Sequence, residues 1–503
     1  MKYISTRSKM KPVNSAEAIL QGLAPDGGLF VPESIPKIKL EEIGKLVGVP
    51  YTKCAVEILK KFLTDYTEDE LFECAELAYN WFDNPAKVPL SILVQDPKNP
   101  KFPIGVAELW HGPTYAFKDL ALQILPRLMT YALKKVGEKN EILILVATSG
   151  DTGKAALAGF ANVPQTKIMV FYPNGGVSKI QRLQMVTQIG DNVNVTAVNG
   201  NFDDAQNGVK KIFGDEKICK QLAESNIKLS SANSINWGRL VPQIAYYFSS
   251  YAEFIKAKQL KLGDAVNIVV PTGNFGNILA AYYAKRMGLP VKRLICASNV
   301  NNVLTEFFKT GVYNRNREFH KTISPSMDIL ISSNLERLIY HEAGHIDQVK
   351  RFMTQLNTTG KYKIDAPLKK KLDKIFYADF ASEEETANMI KEVFGHFKYI
   401  VDPHTAVALK VLSNYRRDTR DMTPIIVAST ASAFKFTNSV LRALGENIEG
   451  IDDLKQLEKL EIITKRRIPK NLAKLNGAEI LHKDICEKEN MSEKVLDFAK
   501  NEN

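Results

Sequence analysis

A lysine placed where a turn becomes a helix is the first residue of this chain with an evident chemical use. The stretch Glu108-Leu109-Trp110-His111-Gly112-Pro113-Thr114-Tyr115-Ala116-Phe117-Lys118-Asp119-Leu120 turns at Gly112 and Pro113 and crosses two aromatic residues before reaching Lys118. Beyond it, Leu120, Leu122, Ile124, Leu125, Leu128 and Met129 recur at roughly helical spacing. The positive end of a helix and the adjoining ring surface both disfavour an ammonium ion. The Lys118 amine is therefore suited to Schiff-base formation and to shuttling protons. Spacing alone favours a plain surface lysine at a helix start; the other motifs change that balance.

Three further stretches place small polar residues where strands give way to helices. Ser149-Gly150-Asp151-Thr152-Gly153 follows the apolar run Ile142–Ala147, so Ser149, Asp151 and Thr152 are candidate ligand contacts, with a simply capped loop the competing reading. Val269-Val270-Pro271-Thr272-Gly273-Asn274-Phe275-Gly276-Asn277 is again strand, loop and helix. Gly273, Asn274, Phe275, Gly276 and Asn277 form a cup able to hold a phosphate on backbone N–H groups without a basic side chain. Ile425-Ile426-Val427-Ala428-Ser429-Thr430 ends a third strand on a hydroxyl, Thr430, able to face a heteroaromatic nitrogen or to cap a helix. A reactive lysine, a phosphate cup and a hydroxyl for a ring nitrogen together fit pyridoxal 5′-phosphate, which carries an aldehyde, a phosphate and a pyridine.

Other chemistries find less support. The second cup is neither the GxxxxGK[ST] loop of nucleotide hydrolases nor the G-x-G-x-x-G dinucleotide fingerprint. His341-Glu342-Ala343-Gly344-His345 matches H-E-x-x-H, but the embedded Gly344 and the lack of a third ligand favour a helix end, and no metal is expected. The five cysteines are scattered without C-x-x-C spacing, which suits reduced thiols in the cytoplasm. No apolar run is long enough for a membrane span, and Met1–Arg7 lacks an apolar signal core. The net charge of +11 is spread out, so no nucleic-acid partner is expected, although it suits small phosphorylated ligands.

Positioning such a site requires parallel strands alternating with helices. At 503 residues the chain is long enough for several domains. Residues 1–95 read as a mostly helical N-terminal domain, with helices at 51–63 and 67–82, the second capped by Thr67. Asp96-Pro97-Lys98-Asn99-Pro100 marks a turn or linker. Residues 96–445 read as an α/β core. Its strands lie at 142–147, 167–172, 193–198, 265–270, 291–297 and 424–428, with helices between them, and all are apolar enough for sheets covered on both faces. Residues 311–365 read as an irregular polar insertion, and 446–503 as a peripheral helical cap.

The motifs His111–Asp119, Thr148–Gly153 and Gly273–Asn277, with Ala24-Pro25-Asp26-Gly27-Gly28-Leu29-Phe30-Val31-Pro32 and Asn233-Ser234-Ile235-Asn236-Trp237-Gly238-Arg239, resemble the threonine synthase family in the same order along the chain. The resemblance implies a fold-type-II pyridoxal-phosphate enzyme with two parallel-sheet α/β domains, the smaller and mobile one at roughly 140–235, plus the helical N-terminal domain. It implies a carbon–oxygen lyase that converts O-phospho-L-homoserine and water into L-threonine and phosphate, the final step of threonine biosynthesis. Phosphate leaves from Cγ and water adds at Cβ. By the same resemblance Lys118 is the catalytic lysine that carries the cofactor, Gly273 to Asn277 hold its phosphate, and Thr430 faces its ring. Ser149, Asp151, Thr152, Asn233, Ser234, Asn236 and Arg239 would bind the substrate, with Arg239 able to grip its phosphate. Tyr115 and Phe117 are left between ring packing and the core, and His404 in Asp402-Pro403-His404-Thr405 between capping and function. The family carries proline where this chain has Ala433. A monomer is expected, with a homodimer the alternative, and threonine or serine dehydratase is the competing activity.

Overall fold

The alternation of buried strands and helices produces two sheets, in a computed structural model that describes residues 1–93 and 103–500. The linker expected at Asp96–Pro100 lies outside the described residues. The larger sheet runs Phe376–Phe380, Val291–Ser298, Val266–Pro271, Ile425–Ser429, Ile104–Glu108 and Leu90–Leu93 in that spatial order. Its strands are parallel except for the antiparallel edge pair formed by Leu90–Leu93 and Ile104–Glu108. The smaller sheet runs Asp484–Glu487, Val193–Asn199, Thr166–Pro173, Glu141–Ala147 and Ile227–Ser230, all parallel. Every residue of Val266–Pro271 and Ile425–Ser429 is buried, as covering both faces requires.

The N-terminal residues add a ribbon, Tyr3–Ser5 against Phe30–Pro32, and the helices Ser15–Gln21, Leu40–Gly44, Tyr51–Phe62 and Glu68–Tyr79. Thr67 caps the last of these in a reciprocal box with Glu70. These elements share their core with the rest of the chain. The rings of Tyr3, Phe62 and Tyr283 pack around Trp237. The hydroxyls of Tyr79 and Tyr66 donate to the Leu120 and Leu128 carbonyls, bracing the helices that follow Lys118.

Four expectations are corrected. The helix after Lys118 is two pieces, Asp119–Leu122 and Leu125–Val136, with a proline in the first turn of the second. The run 203–224 breaks at Asp215, whose carboxylate caps Glu216–Glu224. Residues 311–365 are no irregular insertion: they hold the helices Leu335–Ala343 and Ile346–Thr359 and the pair Val312–Asn314 with Lys361–Lys363. Leu335, Leu338 and Ile339 form a short apolar stripe that bulk polarity concealed, and it is buried. After 445 the helices Asp453–Thr464, Lys470–Ala473 and Met491–Lys500 are joined by the strand Asp484–Glu487, which closes an edge of the smaller sheet.

The two sheets are bound tightly where helix Asp151–Phe160 crosses Asp119–Leu122. A Cβ at Gly159 would overlap the Leu122 carbonyl oxygen, so this crossing admits only glycine. Gly159→Ala is expected to lower stability by about 2 kcal/mol through overpacking. Gly395→Ala, on the exposed side of helix Glu383–Phe397 with nothing within 4 Å, is expected to raise it by up to about 1 kcal/mol. Urea midpoints of the two variants provide the measurement.

Candidate active site

Val266–Pro271, Ile425–Ser429 and Ile104–Glu108 are neighbours in the larger sheet and run parallel, so the loops at their carboxyl ends emerge side by side. The lysine-bearing loop is then stitched to the third strand end. Leu109 N–H donates to the Ser429 carbonyl, Phe117 N–H to that of Thr430, and Ser432 N–H to that of Tyr115. Gly112 makes room for the Asp119 carboxylate, which accepts from the Thr114 amide and hydroxyl. Burial pushes the Asp119 carboxyl up to about 6 against those bonds. Ala433 opens the short 3₁₀ turn Ala433–Phe436, capped by Ser432, and leaves the Thr430–Phe117 bond intact.

A cavity of about 520 Å³ lies over these strand ends. Lys118, Thr430 and the loop Gly273 to Asn277 line it from the larger sheet. Ser149, Asp151 and Thr152 line it from the smaller sheet, and Asn233, Ser234 and Arg239 from the segment that follows Ile227–Ser230. Asn236 stands apart. It is fully buried, caps Trp237–Leu240 by accepting from Gly238 N–H, and donates to the Ile19 and Ser231 carbonyls, so its role is structural. Phe117 lines the cavity, its ring centroid 5.1 Å from Lys118 Nζ. Tyr115 instead accepts a bond from the Asn471 amide of the C-terminal segment.

The Gly273–Asn277 loop is built to receive an anion. Phe275 adopts a left-handed backbone (φ 64°) immediately before helix Gly276–Met287. Such a residue turns successive N–H groups to one side. Among the described residues, none accepts a bond from the Asn274, Phe275 or Gly276 amide. A Cβ at Gly273 would press on the Ser326 carbonyl at 2.8 Å. The hydroxyls of Tyr246 and Tyr247 both donate to Asn277 Oδ1, which leaves its buried Nδ2 as a donor without a protein partner. A glycine cradle, an orphaned amide donor and a buried lysine fit a phosphorylated aldehyde.

Burial brings the Lys118 amine down to about 8 despite the opposing pull of Asp151, and the charges of Arg239 and Lys435 add to the lowering. Lys118 Nζ lies 3.6 Å from Asp151 Oδ2 and donates to Ser326 Oγ at 3.2 Å. Asp151 itself is fully engaged. Its Oδ1 pairs with Lys435 Nζ at 2.8 Å and accepts from Gln181, while Oδ2 accepts from the Ser326 hydroxyl. Although burial opposes ionisation, Lys435 and Lys118 hold this carboxyl far below the usual carboxylate range. A carboxylate so occupied has no donor to offer a phosphate, so Asp151 faces the lysines and not an anionic substrate. Arg239 is buried, donates to the Ala232 carbonyl and forms no ion pair among the described residues. Burial lowers its guanidinium to about 10.

Three contributors were not singled out from the sequence. Lys435 follows Thr430 by five residues, in the 3₁₀ turn. Ser326 belongs to the region read as an insertion, and its N–H donates to His404 Nε2. An amide can only donate, so the His404 proton sits on Nδ1 facing Asp402 Oδ2 at 2.6 Å. Arg337, fully buried, donates to the Phe30, Ser234 and Ile235 carbonyls and ties the Asn233–Arg239 segment to the N-terminal ribbon. Lys154 turns to Gln188 and does not line the cavity. In His341–His345, Gly344 ends the helix, so the two histidines share no helix face. Burial pushes His341, bonded to Tyr283, down to about 3.

Comparison with known proteins agrees with this geometry. Residues 2–79 match the family model for the threonine synthase N terminus, 106–430 that for pyridoxal-phosphate dependent enzymes, and 405–479 that for the threonine synthase C-terminal region. The threonine synthase of Pseudomonas aeruginosa is 39% identical over 448 residues, covering 88% of this chain and 90% of that protein. The chain belongs to the threonine synthase family. The threonine synthase of Saccharomyces cerevisiae is 37% identical over 469 residues, covering 88% of this chain and 89% of its own. The crystal structure of pyridoxal-phosphate-bound threonine synthase from Brucella melitensis superposes with a TM-score of 0.86 at 35% identity, covering both chains completely. The protein is thus a pyridoxal-phosphate-dependent threonine synthase of fold type II.

One charged cluster of this threonine synthase lies just outside the cavity. His111 sits between Asp83 at 2.7 Å and Glu108 at 2.8 Å, and Glu108 also accepts from Ser91 and Tyr399. Burial alone would lower the His111 imidazole, but the two carboxylates outweigh it and hold it above its ordinary value. A raised folded value stabilises fully below the unfolded histidine's, about 6.5, and this contribution is lost as pH rises through the folded one. The melting temperature is therefore expected to fall over that window in the parent protein, and His111→Gln to flatten that part of the profile. Thermal melts across pH 5–9 check it.

Proposed function

We propose that this cavity converts O-phospho-L-homoserine and water into L-threonine and phosphate. The observation that carries the reading is a cavity that sets two anion-receptive groups beside one buried amine. The Gly273–Asn277 loop, whose Asn274, Phe275 and Gly276 amides meet no acceptor among the described residues, and the Arg239 guanidinium, which forms no ion pair among them, both line it together with Lys118. The cup, Thr430 and Lys118 would hold pyridoxal phosphate, which would supply the electron sink that makes a Cα proton of an amino acid removable. Lys118, once its amine is free, takes the proton from Cα and then moves protons at Cβ, as base and acid in turn. An amine near 8 is suited to both tasks at neutral pH. Arg239 grips the substrate phosphate while the bond at Cγ breaks, and water then adds at Cβ. Thr430 offers the ring nitrogen a neutral hydroxyl, so placement of the substrate by Ser149, Thr152, Asn233 and Ser234 selects which bond breaks. Threonine or serine dehydratase, the competing reading, leaves a buried cation such as Arg239 without a task. We assign the catalytic core to residues 96–445 of a cytoplasmic monomer; the unpaired cysteines support the compartment, and light scattering separates monomer from homodimer.

Incubation of the purified protein with O-phospho-L-homoserine and pyridoxal phosphate is expected to yield equal amounts of threonine and phosphate. Lys118→Ala is expected to abolish turnover and the visible absorbance of lysine-bound cofactor. Arg239→Gln is expected to raise KM at least tenfold, since a charge-assisted contact of about 1.5–3 kcal/mol is lost, while the cofactor stays bound. Loss of the cofactor in that variant would show that Arg239 serves the cup instead.

A further inference from the structure

Lys435 is the least exposed charged group in the site, with no solvent-accessible side-chain surface. It stands in the 3₁₀ turn after the strand Ile425–Ser429 of the larger sheet. Its ammonium reaches two targets. It donates to the Thr114 carbonyl at 2.8 Å, four residues before Lys118, and pairs with Asp151 Oδ1 at 2.8 Å on the first turn of a helix of the smaller sheet. The opposite oxygen of that carboxylate looks at Lys118 Nζ. One buried ammonium thus holds the lysine loop and its counter-ion together across the junction of the two sheets. The Ser326 hydroxyl also bridges Lys118 and Asp151, but it carries no charge.

We propose that Lys435 is a positioning residue that tunes Lys118, keeping Asp151 a permanent carboxylate aimed at the reacting amine while its own charge opposes a second ammonium beside it. The proposal rests on the assignment of Lys118 above. The logic is that of a shared counter-ion. With one carboxylate between two amines, and Gln181 and the Ser326 hydroxyl filling its remaining positions, the pair carries an excess of positive charge. That excess favours loss of the proton on Lys118. Asp151, saturated with donors, does not compete for that proton, so it stays with Lys118 for delivery to carbon. The other titratable groups facing the amine or its partners are Arg239, which also lowers Lys118, His404, whose Nε2 accepts from the Ser326 amide, and Asp119 and Lys154 behind Lys435.

Removing the Lys435 charge therefore raises the proton affinity of Lys118. The test is the rate of Lys118 acetylation by acetic anhydride as a function of pH in the full chain stripped of cofactor, read by peptide mass spectrometry. Lys435→Met is expected to lower the rate at pH 8 by about three- to tenfold, one neighbouring charge being worth a substantial part of a tenfold change in protonation. In the reloaded enzyme the alkaline rise of kcat is expected to move to higher pH. Asp151→Asn, which keeps Lys435 and removes the counter-ion, is expected to act oppositely and raise the rate. Should Lys435→Met not fold, Lys435→Gln, which removes the charge and keeps a donor for the Thr114 carbonyl, takes its place with the same expected slowing. Two variants with lowered melting temperatures but the parental acetylation profile would overturn the proposal and leave Lys435 a brace. Borohydride trapping of cofactor on the parent protein separates this result from failure of the Lys118 assignment, because acetylation is read without cofactor.

Discussion

The placement of one strand governs the rest. Ile425–Ser429 lies between Ile104–Glu108 and Val266–Pro271, paired in parallel with both, and it sets three loops from distant parts of the sequence in a row. A slip of one residue would turn its buried side chains to the opposite face and shift Thr430 away from the lysine loop. The backbone bonds from Leu109, Phe117 and Ser432 then lock the lysine loop onto that strand end. Each donor and acceptor in this seam is main chain, so the lysine loop is seated on the sheet by backbone bonds, and the side chains of Asp119 and Lys435 brace it from within.

Around that seam the protein concentrates positive charge in a region of low dielectric. Lys118, Arg239 and Lys435 are buried, and Asp151 is the carboxylate set among them. Burying cations is costly unless partners arrive, and here hydrogen bonds to carbonyls and one shared carboxylate offset part of the cost. The same buried setting makes the Lys118 amine a usable base near neutrality.

Much of the site was legible because its chemistry is carried by short contiguous runs. Gly273 to Asn277, Ser149 to Thr152 and Lys118 each lie at a strand-to-helix turn marked by glycine and an apolar run, and local pattern suffices there. Asn236 was misplaced because a capping residue and a ligand contact have the same side-chain chemistry, and only the fold decides which backbone groups it meets. Ser326 and Arg337 were hidden in a stretch whose average polarity masked two short amphipathic helices. Lys435 was invisible for another reason: its role depends on partners hundreds of positions away, and periodicity carries no record of such pairings. The helix breaks at Asp215 and Gln123 follow from capping and proline preferences that a continuous apolar period overrides in the sequence.

The strand Asp484–Glu487 closes the outer edge of the smaller sheet against Val193–Asn199. Its partner is synthesised long before it, so during translation the smaller sheet exists for some time with a row of unpaired backbone donors and acceptors along a mostly buried, valine-rich strand. Such an edge is a template for intermolecular pairing. A chain interrupted upstream of Asp484 would hold Lys118 and the loops that line the cavity, yet would leave that edge open. Solubility and catalysis are thus written in different parts of the same polypeptide.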